Sequence, residues 1–174
     1  MILKHRMLLP LAVLSVALAA RSVAEEPATP PAACSAPEYR ALDFKLGSFV
    51  VTGGGGQPAG ESTVESVLGG CLLVEHWKGA LGGLGRATMF YDRREGLWHK
   101  VFVTDDGETM YLTGMRQGDS VVFLGANDFD VFSGVHRMSW SPLPAGGVRQ
   151  VWELSTDGGA TWKLVHEGLY ARRP

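Results

Sequence analysis

Acidic, basic and imidazole side chains that could do acid-base chemistry are present in this chain, but their spacing defines no catalytic motif. Glu75 and His76 are adjacent, and a carboxylate beside an imidazole is a reasonable acid-base pair. No serine nucleophile elbow, His-Glu-x-x-His or phosphate loop accompanies them. A hydrolase or isomerase is therefore an alternative only, with Glu75, His99 and Arg149 as the first alanine targets. No catalytic residue is assigned, and the sequence favours a protein that is not an enzyme.

Candidate metal ligands are equally scattered. His76, His99 and His136 fall on three different predicted strands, and Cys34 and Cys71 lie 37 positions apart with no Cys or His at close spacing. Metal sites normally draw on closely spaced ligand pairs. We therefore predict no metal site from these residues.

Residues 155–162 match the pattern S-x-D-x-G-x-T-W at every specified position. Asp and Gly favour a tight turn, the carboxylate of Asp157 can accept backbone hydrogen bonds, and Trp162 would begin the returning strand. The pattern resembles the Asp-box of sialidases and other β-propellers, where it recurs in each blade away from the catalytic pocket. Here it occurs once, so we interpret it as a folded hairpin tip with a structural role.

Residues 1–24 have the features of a secretory signal peptide. Lys4 and Arg6 give a basic start, residues 7–20 form an apolar run, and residues 22–24 (Ser-Val-Ala) fit a cleavage site, with residues 17–19 as an earlier alternative. The apolar run is shorter than the about 20 residues of a membrane-spanning helix. We expect a secreted or periplasmic protein, with no membrane association in its mature form.

The mature chain is mildly acidic. The full sequence has 16 basic and 18 acidic residues, and cleavage after residue 24 leaves 13 basic residues against the same 18, a net charge of −5. Nucleic-acid binding needs clustered Lys and Arg, which this chain lacks. The composition therefore argues against nucleic acid as a partner, and it carries no signal for an oligomeric state.

Both cysteines, Cys34 and Cys71, would survive cleavage. In an oxidising compartment an even pair suggests a disulfide, here one that ties a Pro/Ala-rich leader (residues 25–37) to the fold. Two unpaired buried thiols are the alternative.

From Phe44 onward, short runs rich in β-branched and aromatic residues alternate with Gly, Asp and Asn. These runs predict ten strands near 44–52, 61–68, 71–78, 86–92, 97–104, 108–115, 119–125, 134–141, 147–155 and 160–171. A short helix around residues 38–42 is the one helical candidate. Short turns between all strands favour a single up-and-down antiparallel β-barrel domain over residues 38–174, because a sandwich needs longer crossing connections and a propeller needs more strands.

Four motifs stand out between residues 38 and 173. They are Asp43-Phe44-x-x-Gly47, Gly70-Cys71-x-Leu73-x-Glu75-x-Trp77-x-Gly79, Tyr91-Asp92-x-x-x-Gly96-x-Trp98 and Val148-Arg149-Gln150-x-Trp152-Glu153-x-Ser155-x-Asp157-Gly158-Gly159-x-Thr161-Trp162. With these motifs, roughly residues 38–173 resemble an uncharacterised family of exported bacterial proteins, a domain of unknown function similar to the calycin barrels, which include lipocalins. The resemblance implies a calycin-like (lipocalin-like) barrel and no particular activity.

The chain departs from that family at its first strand. Where the family usually carries Trp around a Gly, this sequence has Lys45 and Phe49. We therefore expect the base of the barrel to be packed differently.

A ten-stranded barrel can enclose a small apolar molecule, so our leading functional prediction is ligand binding. The alternative is a barrel filled by its own aromatic side chains, which would act as a structural or protein-interaction scaffold.

Period-2 alternation predicts which side chains of the last two strands face the barrel. Trp152 and Leu154 share one face of the first, and Trp162, Leu164, His166 and Tyr170 share one face of the second. Trp152 and Trp162 lie at equal distances from Asp157, so a hairpin could pair them across strands. The residues predicted to contact a ligand are Trp77, Trp98, Trp152, Trp162, His166 and Tyr170.

The one cofactor hypothesis is that His166 binds haem. Residues 166–172 resemble the last strand of nitrobindin-type barrels, in which a histidine binds haem iron, and a neutral imidazole in an apolar cavity is a suitable axial ligand. The Gly-rich, Trp-containing opening of nitrobindins is absent, so a hydrogen-bonded core histidine is the alternative, and no other cofactor is predicted.

Overall fold

Ten antiparallel strands follow one another along the chain in the computed structural model, which describes residues 33–173. They are β1 (Gly47–Gly53), β2 (Pro58–Val67), β3 (Leu72–Gly79), β4 (Leu84–Asp92), β5 (Leu97–Thr104), β6 (Thr109–Gln117), β7 (Ser120–Phe129), β8 (Phe132–Pro142), β9 (Val148–Ser155) and β10 (Lys163–Arg172). Every predicted strand overlaps one of these, so the prediction of an all-β fold with about ten strands is confirmed.

The strands form a closed barrel in which each strand pairs with its neighbours in sequence. Closure is made by β1 and β10, which pair from Phe49↔Arg172 to Gly53↔Gly168. The architecture is thus the predicted up-and-down antiparallel barrel, whose closure leaves no unpaired sheet edge.

The barrel core follows from alternation along each strand. On β6 and β7, for example, Met110, Leu112, Val121 and Phe123 are buried at every second position. Successive side chains of a strand point to opposite faces, so one apolar set fills the interior. The interior near the start of β1 is packed by residues such as Phe49, which is 1% exposed.

One end of the barrel is covered by two short 3-10 helices, Pro37–Arg40 and Asp43–Lys45. Residues 37–45 are called the N-terminal plug below. Leu42 of the plug is fully buried in the core, and Trp98 donates a hydrogen bond from Nε1 to the Glu38 carbonyl at 3.1 Å. Helical structure therefore does occur where the sequence indicated it, although as 3-10 turns.

A disulfide before the N-terminal plug and hydrogen bonds at its end hold the plug against the barrel. Cys34 is joined to Cys71 by the predicted disulfide, with Cα atoms 5.1 Å apart. Arg172, at the end of β10, donates hydrogen bonds to the carbonyls of Phe44 and Leu46 at 3.1 and 2.6 Å. These contacts hold the segment that carries Lys45 into the barrel.

The predicted signal peptide (residues 1–24) and most of the predicted leader lie outside the described residues, which fall within the unit Pro31–Pro174. Across the described part of the chain, no helix has both the length and the apolar character needed to cross a membrane.

Candidate functional site

A cavity of about 610 Å³ opens at the end of the barrel opposite the plug. Its mouth is formed by the turns after β1, β3 and β5, which contribute Gln57, Leu81 and Asp105. Leu81 is fully exposed at this mouth. The barrel is therefore filled toward the plug and hollow toward its other end.

The wall of the cavity is mainly aromatic and apolar. The apolar and aromatic lining residues include Trp77, Phe102, Met110, Phe129, Met138, Trp140, Trp152 and Tyr170. The Phe129 ring packs edge-on against the Trp152 ring at 5.9 Å and lies 6.1 Å from the ring of Phe102. Such a wall suits an apolar ligand, because it offers a large contact area at fixed positions.

The Trp152 ring is fixed by a histidine behind it. Trp152 Nε1 donates to His136 Nδ1 at 3.0 Å, and His136 Nε2 donates to the Asn127 carbonyl at 3.2 Å. Since Nδ1 accepts and Nε2 donates, the imidazole of His136 is held as the neutral Nε2–H tautomer. His136 is fully buried and has a positioning role for the wall.

Glycines opposite aromatic residues make room for this wall. The Phe102 ring lies so close over Gly85 that a Cβ there would meet it at 2.4 Å. An alanine at position 85 would therefore displace the Phe102 ring.

Three charged side chains meet at the base of the cavity. Glu75 on β3 lies between Lys45 of the plug and Lys100 on β5, with its Oε2 at 3.3 and 3.8 Å from the two ammonium nitrogens. Ser62 donates a hydrogen bond to Glu75 Oε1 at 2.7 Å. Lys45, Glu75 and Lys100 are each at most 3% exposed, and we call them the ionic cluster.

Aromatic rings surround the ionic cluster. The Lys45 ammonium lies 3.0 Å from the centroid of the Trp140 ring, a cation–π contact. The Trp140 ring packs edge-on against that of Tyr170, whose hydroxyl donates to Gln150 Oε1 at 2.6 Å. Trp140, Gln150 and Tyr170, which also line the cavity, thus lie next to the cluster.

Burial and mutual attraction oppose each other in the cluster. Burial lowers the pKa of Lys45 to about 7, although the Glu75 carboxylate partly counteracts this effect. Burial likewise lowers the pKa of Lys100. For Glu75, burial alone would raise the pKa, but the two lysines and the Ser62 hydroxyl together hold it below its ordinary value. The carboxylate therefore stays ionised, whereas burial favours the neutral form of both lysines.

Four of the six predicted ligand-contacting residues line the cavity: Trp77, Trp152, His166 and Tyr170. Trp98 lies at the plug end, where it bonds to Glu38. Trp162 packs against the guanidinium of Arg137 at 4.0 Å. The cavity thus gathers four of the predicted residues from three strands, β3, β9 and β10, but not Trp98 or Trp162.

The predicted inward face of β10 is wrong at its start. Trp152 pairs with His166, and an irregularity between Leu164 and His166 shifts the register. Leu164 is 62% exposed as a result, and Trp162 precedes the strand instead of pairing with Trp152. One extra residue reverses which face a side chain occupies, and alternation alone does not reveal it.

The structure separates the three alanine targets of the enzyme alternative. Glu75 is inside the barrel, whereas Arg149 donates to Glu167 Oε1 at 2.6 Å on the outer face. The His99 ring stacks on Phe90 at 5.0 Å, and its Nδ1 lies 2.7 Å from the Tyr111 hydroxyl. These three residues therefore do not form one catalytic site.

Asp92, Glu95 and His99 are where a metal ion could be held. Their ligand atoms all lie within 4.8 Å of one another. His99 Nε2 is 3.1 Å from Glu95 Oε2, although without hydrogen-bond geometry. A partner on Nδ1 leaves Nε2 as the ligand atom. This group surrounds the turn between β4 and β5, apart from the cavity.

Sequence reasoning missed the two lysines of the ionic cluster. Lys100 alternates with Trp98 and Phe102 on β5, so the pattern did place it on the inward face. Lys45 lies in the segment where the sequence departs from the family pattern expected from the resemblance. Neither lysine was predicted to be inside the barrel, because lysine is rarely buried.

The hairpin tip between β9 and β10 has the predicted turn structure. Asp157 accepts hydrogen bonds from the Thr161 amide and hydroxyl at 2.9 and 2.6 Å. Ser155 Oγ donates to Asp157 and accepts the Gly159 amide, both at 2.7 Å. These hydrogen bonds hold the pKa of Asp157 well below its usual range. The motif closes a turn, as its structural interpretation predicts.

Together, the closed barrel and its open-ended cavity define a class of protein: antiparallel β-barrels with an internal site large enough for a small molecule. No protein-family model matches the chain, and no curated protein matches it. The function must therefore be argued from the cavity itself.

Proposed function

We propose that the protein is exported and binds a small, largely apolar molecule in the open-ended cavity. The observation that carries this proposal is the 610 Å³ cavity with its aromatic wall. Cavities of about 300–1,000 Å³ with mainly apolar walls and a few polar groups are typical of small-molecule sites.

The scaffold alternative is less well supported. A scaffold barrel would be filled along its whole length by its own side chains. Here the packed interior ends at Met110 and Met138, whose side chains line the cavity. Export is supported by the Cys34–Cys71 disulfide, because disulfides persist in oxidising compartments, and by the signal-like residues 1–24.

A titration tests the binding proposal. N-phenyl-1-naphthylamine, an uncharged apolar fluorophore, should bind the mature protein with increased emission. Ala59 lines the cavity, so Ala59→Trp should weaken this binding at least about tenfold by occupying the space. Ala171→Trp is the matched control, since Ala171 is exposed on β10, and it should bind as the wild type does. Absence of probe binding to the wild type would overturn the proposal.

Haem is a second candidate, favoured by one observation. His166 lines the cavity, and burial lowers the pKa of its imidazole despite the nearby Glu167 carboxylate. A neutral imidazole in an apolar cavity fits an axial ligand. Protein purified from its own compartment should then show a Soret band that is lost in His166→Ala, and a colourless preparation that does not take up added haem would exclude it.

A further inference from the structure

The ionic cluster contains two basic groups and one acidic group. When both lysines are protonated, two ammonium groups face one carboxylate, and all three groups are nearly inaccessible to water. An uncompensated charge is costly in such a place. Either a lysine gives up its proton or an anion enters the cavity.

The two lysines are not equivalent. Lys45 donates to Glu75 Oε2 at 3.3 Å and covers the Trp140 ring. Lys100 stands 3.8 Å from the same oxygen, beyond hydrogen-bond distance. Lys100 lines the cavity, and no other carboxylate within the described residues lies within 4 Å of it. The ammonium group with spare donors is therefore the one at the cavity base.

A second hydrogen-bond donor at the base of the cavity, the indole N–H of Trp140, also has no partner within the described residues. Trp140 lines the cavity and is 1% exposed, yet its Nε1 has no hydrogen-bond partner among the residues that the structure describes. Buried N–H groups normally have a partner. The base of the cavity thus combines an indole N–H that has no partner with a lysine side chain that has spare hydrogen-bond donors.

We propose that the ligand is an amphipathic acid with one negative charge, such as a medium-chain carboxylic acid, whose head is held by Lys100 and whose tail lies along the aromatic wall. This inference depends on the proposed function and specifies its ligand class. When both lysines are protonated, one negative charge on the ligand neutralises the cluster, whereas a phosphate monoester would bring up to two.

Charges at the mouth restrict the ligand further. Asp105 and Asp106 belong to the turn that lines the mouth, and Asp105 Oδ1 accepts the Leu84 amide at 3.0 Å. A second carboxylate at the far end of a ligand would meet these aspartates. The site should therefore prefer a monoacid over a dicarboxylic acid of the same length.

Displacement of N-phenyl-1-naphthylamine at pH 7.5 tests the proposal on the wild-type protein. Dodecanoate should displace the probe at a concentration at least about tenfold lower than dodecan-1-ol does, because the charged head gains a charge-assisted hydrogen bond. Dodecanedioate and dodecyltrimethylammonium should both be weaker than dodecanoate. Equal potency of the acid and the alcohol would overturn the inference.

Lys100→Met provides the test at the residue. It removes the extra charge, leaves Lys45 paired with Glu75, and should abolish the advantage of dodecanoate over dodecan-1-ol while probe binding persists. Lys78→Met is the matched control, since Lys78 is exposed on β3, and it should keep that advantage. An advantage that survives in a folded Lys100→Met variant would contradict the assignment.

The outcomes separate this inference from the proposed function. If the probe does not bind the wild type, the cavity is not a binding site and both fail. If the probe binds but the acid has no advantage, only the ligand class fails. The wild-type series decides this even if Lys100→Met does not fold.

Discussion

A single carboxylate, that of Glu75, holds two lysines in the interior of this barrel. The side chain receives a hydrogen bond from Lys45 on one oxygen and from Ser62 on the other. Burial alone would raise the pKa of Glu75, but the two lysines and the Ser62 hydroxyl together lower it. The cluster is therefore organised around Glu75.

Replacement of Glu75 by Gln should destabilise the protein strongly. The variant would remove the counter-charge of two buried lysines, which would then be unpaired cations or have to lose their protons, and removal of one partner of a buried ion pair typically costs about 3–5 kcal/mol. Urea denaturation measures this loss. Glu65→Gln, at an exposed position on β2, should change the free energy of unfolding by less than about 0.5 kcal/mol. A loss below about 1 kcal/mol in Glu75→Gln would show that the carboxylate does not stabilise the cluster.

At the scale of the element, the tip of the β9–β10 hairpin is held by side chains of its own sequence. Ser155, Asp157 and Thr161 form the hydrogen bonds that close the turn. Because these contacts are local, the eight-residue pattern alone was sufficient to predict them.

Asp157→Ala should loosen this tip without affecting the cavity. The Thr161 amide loses its acceptor, so its hydrogen exchange should accelerate at least about tenfold. Binding of the fluorescent probe should stay as in the wild type. Unchanged exchange at Thr161 would refute the assigned role of the carboxylate.

Removal of the disulfide should destabilise the barrel through its N-terminal plug. The chain-entropy model gives a loss of roughly 3–4 kcal/mol for a loop of this length. The double variant Cys34→Ser/Cys71→Ser should show this loss in urea denaturation, and the wild type with a reductant should match it. Identical midpoints with and without reductant would contradict the expectation.

The elements were predictable to different degrees. The ten strands and the barrel order could be predicted because alternation and turn residues are local signals. The irregularity before His166 could not, because it depends on pairing with β9, and it moved Leu164 and Trp162 away from the interior. The ionic cluster also could not be predicted from the sequence. Its residues, Lys45, Glu75 and Lys100, come from three elements that only the closed barrel brings together.

At the scale of the whole molecule, burial of the lysines makes stability depend on pH. The pKa of Lys45 is about 7 in the folded protein and near 10.5 when exposed. Between these values the unfolded chain binds a proton that the folded protein lacks. Stability therefore increases as the pH rises through this range, and the lowered pKa of Lys100 acts in the same direction.

Urea denaturation of ligand-free protein between pH 7 and pH 10 should show this increase. Lys45 alone contributes at most about 1.4 kcal/mol per pH unit, the value for one proton. The increase in stability ends near pH 10. Above that pH the unfolded chain loses the Tyr170 proton while the folded protein keeps it, because burial raises the pKa of Tyr170, so stability falls. Lys45→Met should reduce the slope. A stability that is constant or falls over this interval in the wild type would contradict the lowered lysine pKa.

Closure of the barrel between β1 and β10 affects how the chain folds during its synthesis. The partners in this seam, such as Phe49 and Arg172, come from opposite ends of the barrel sequence, and contacts so distant in sequence form slowly. A growing chain that lacks residues 163–172 has β1 and β9 as two open edges, ready to pair with other chains. The closed barrel forms only once β10 has been added, so a chain that stops before residue 163 does not have the complete cavity wall.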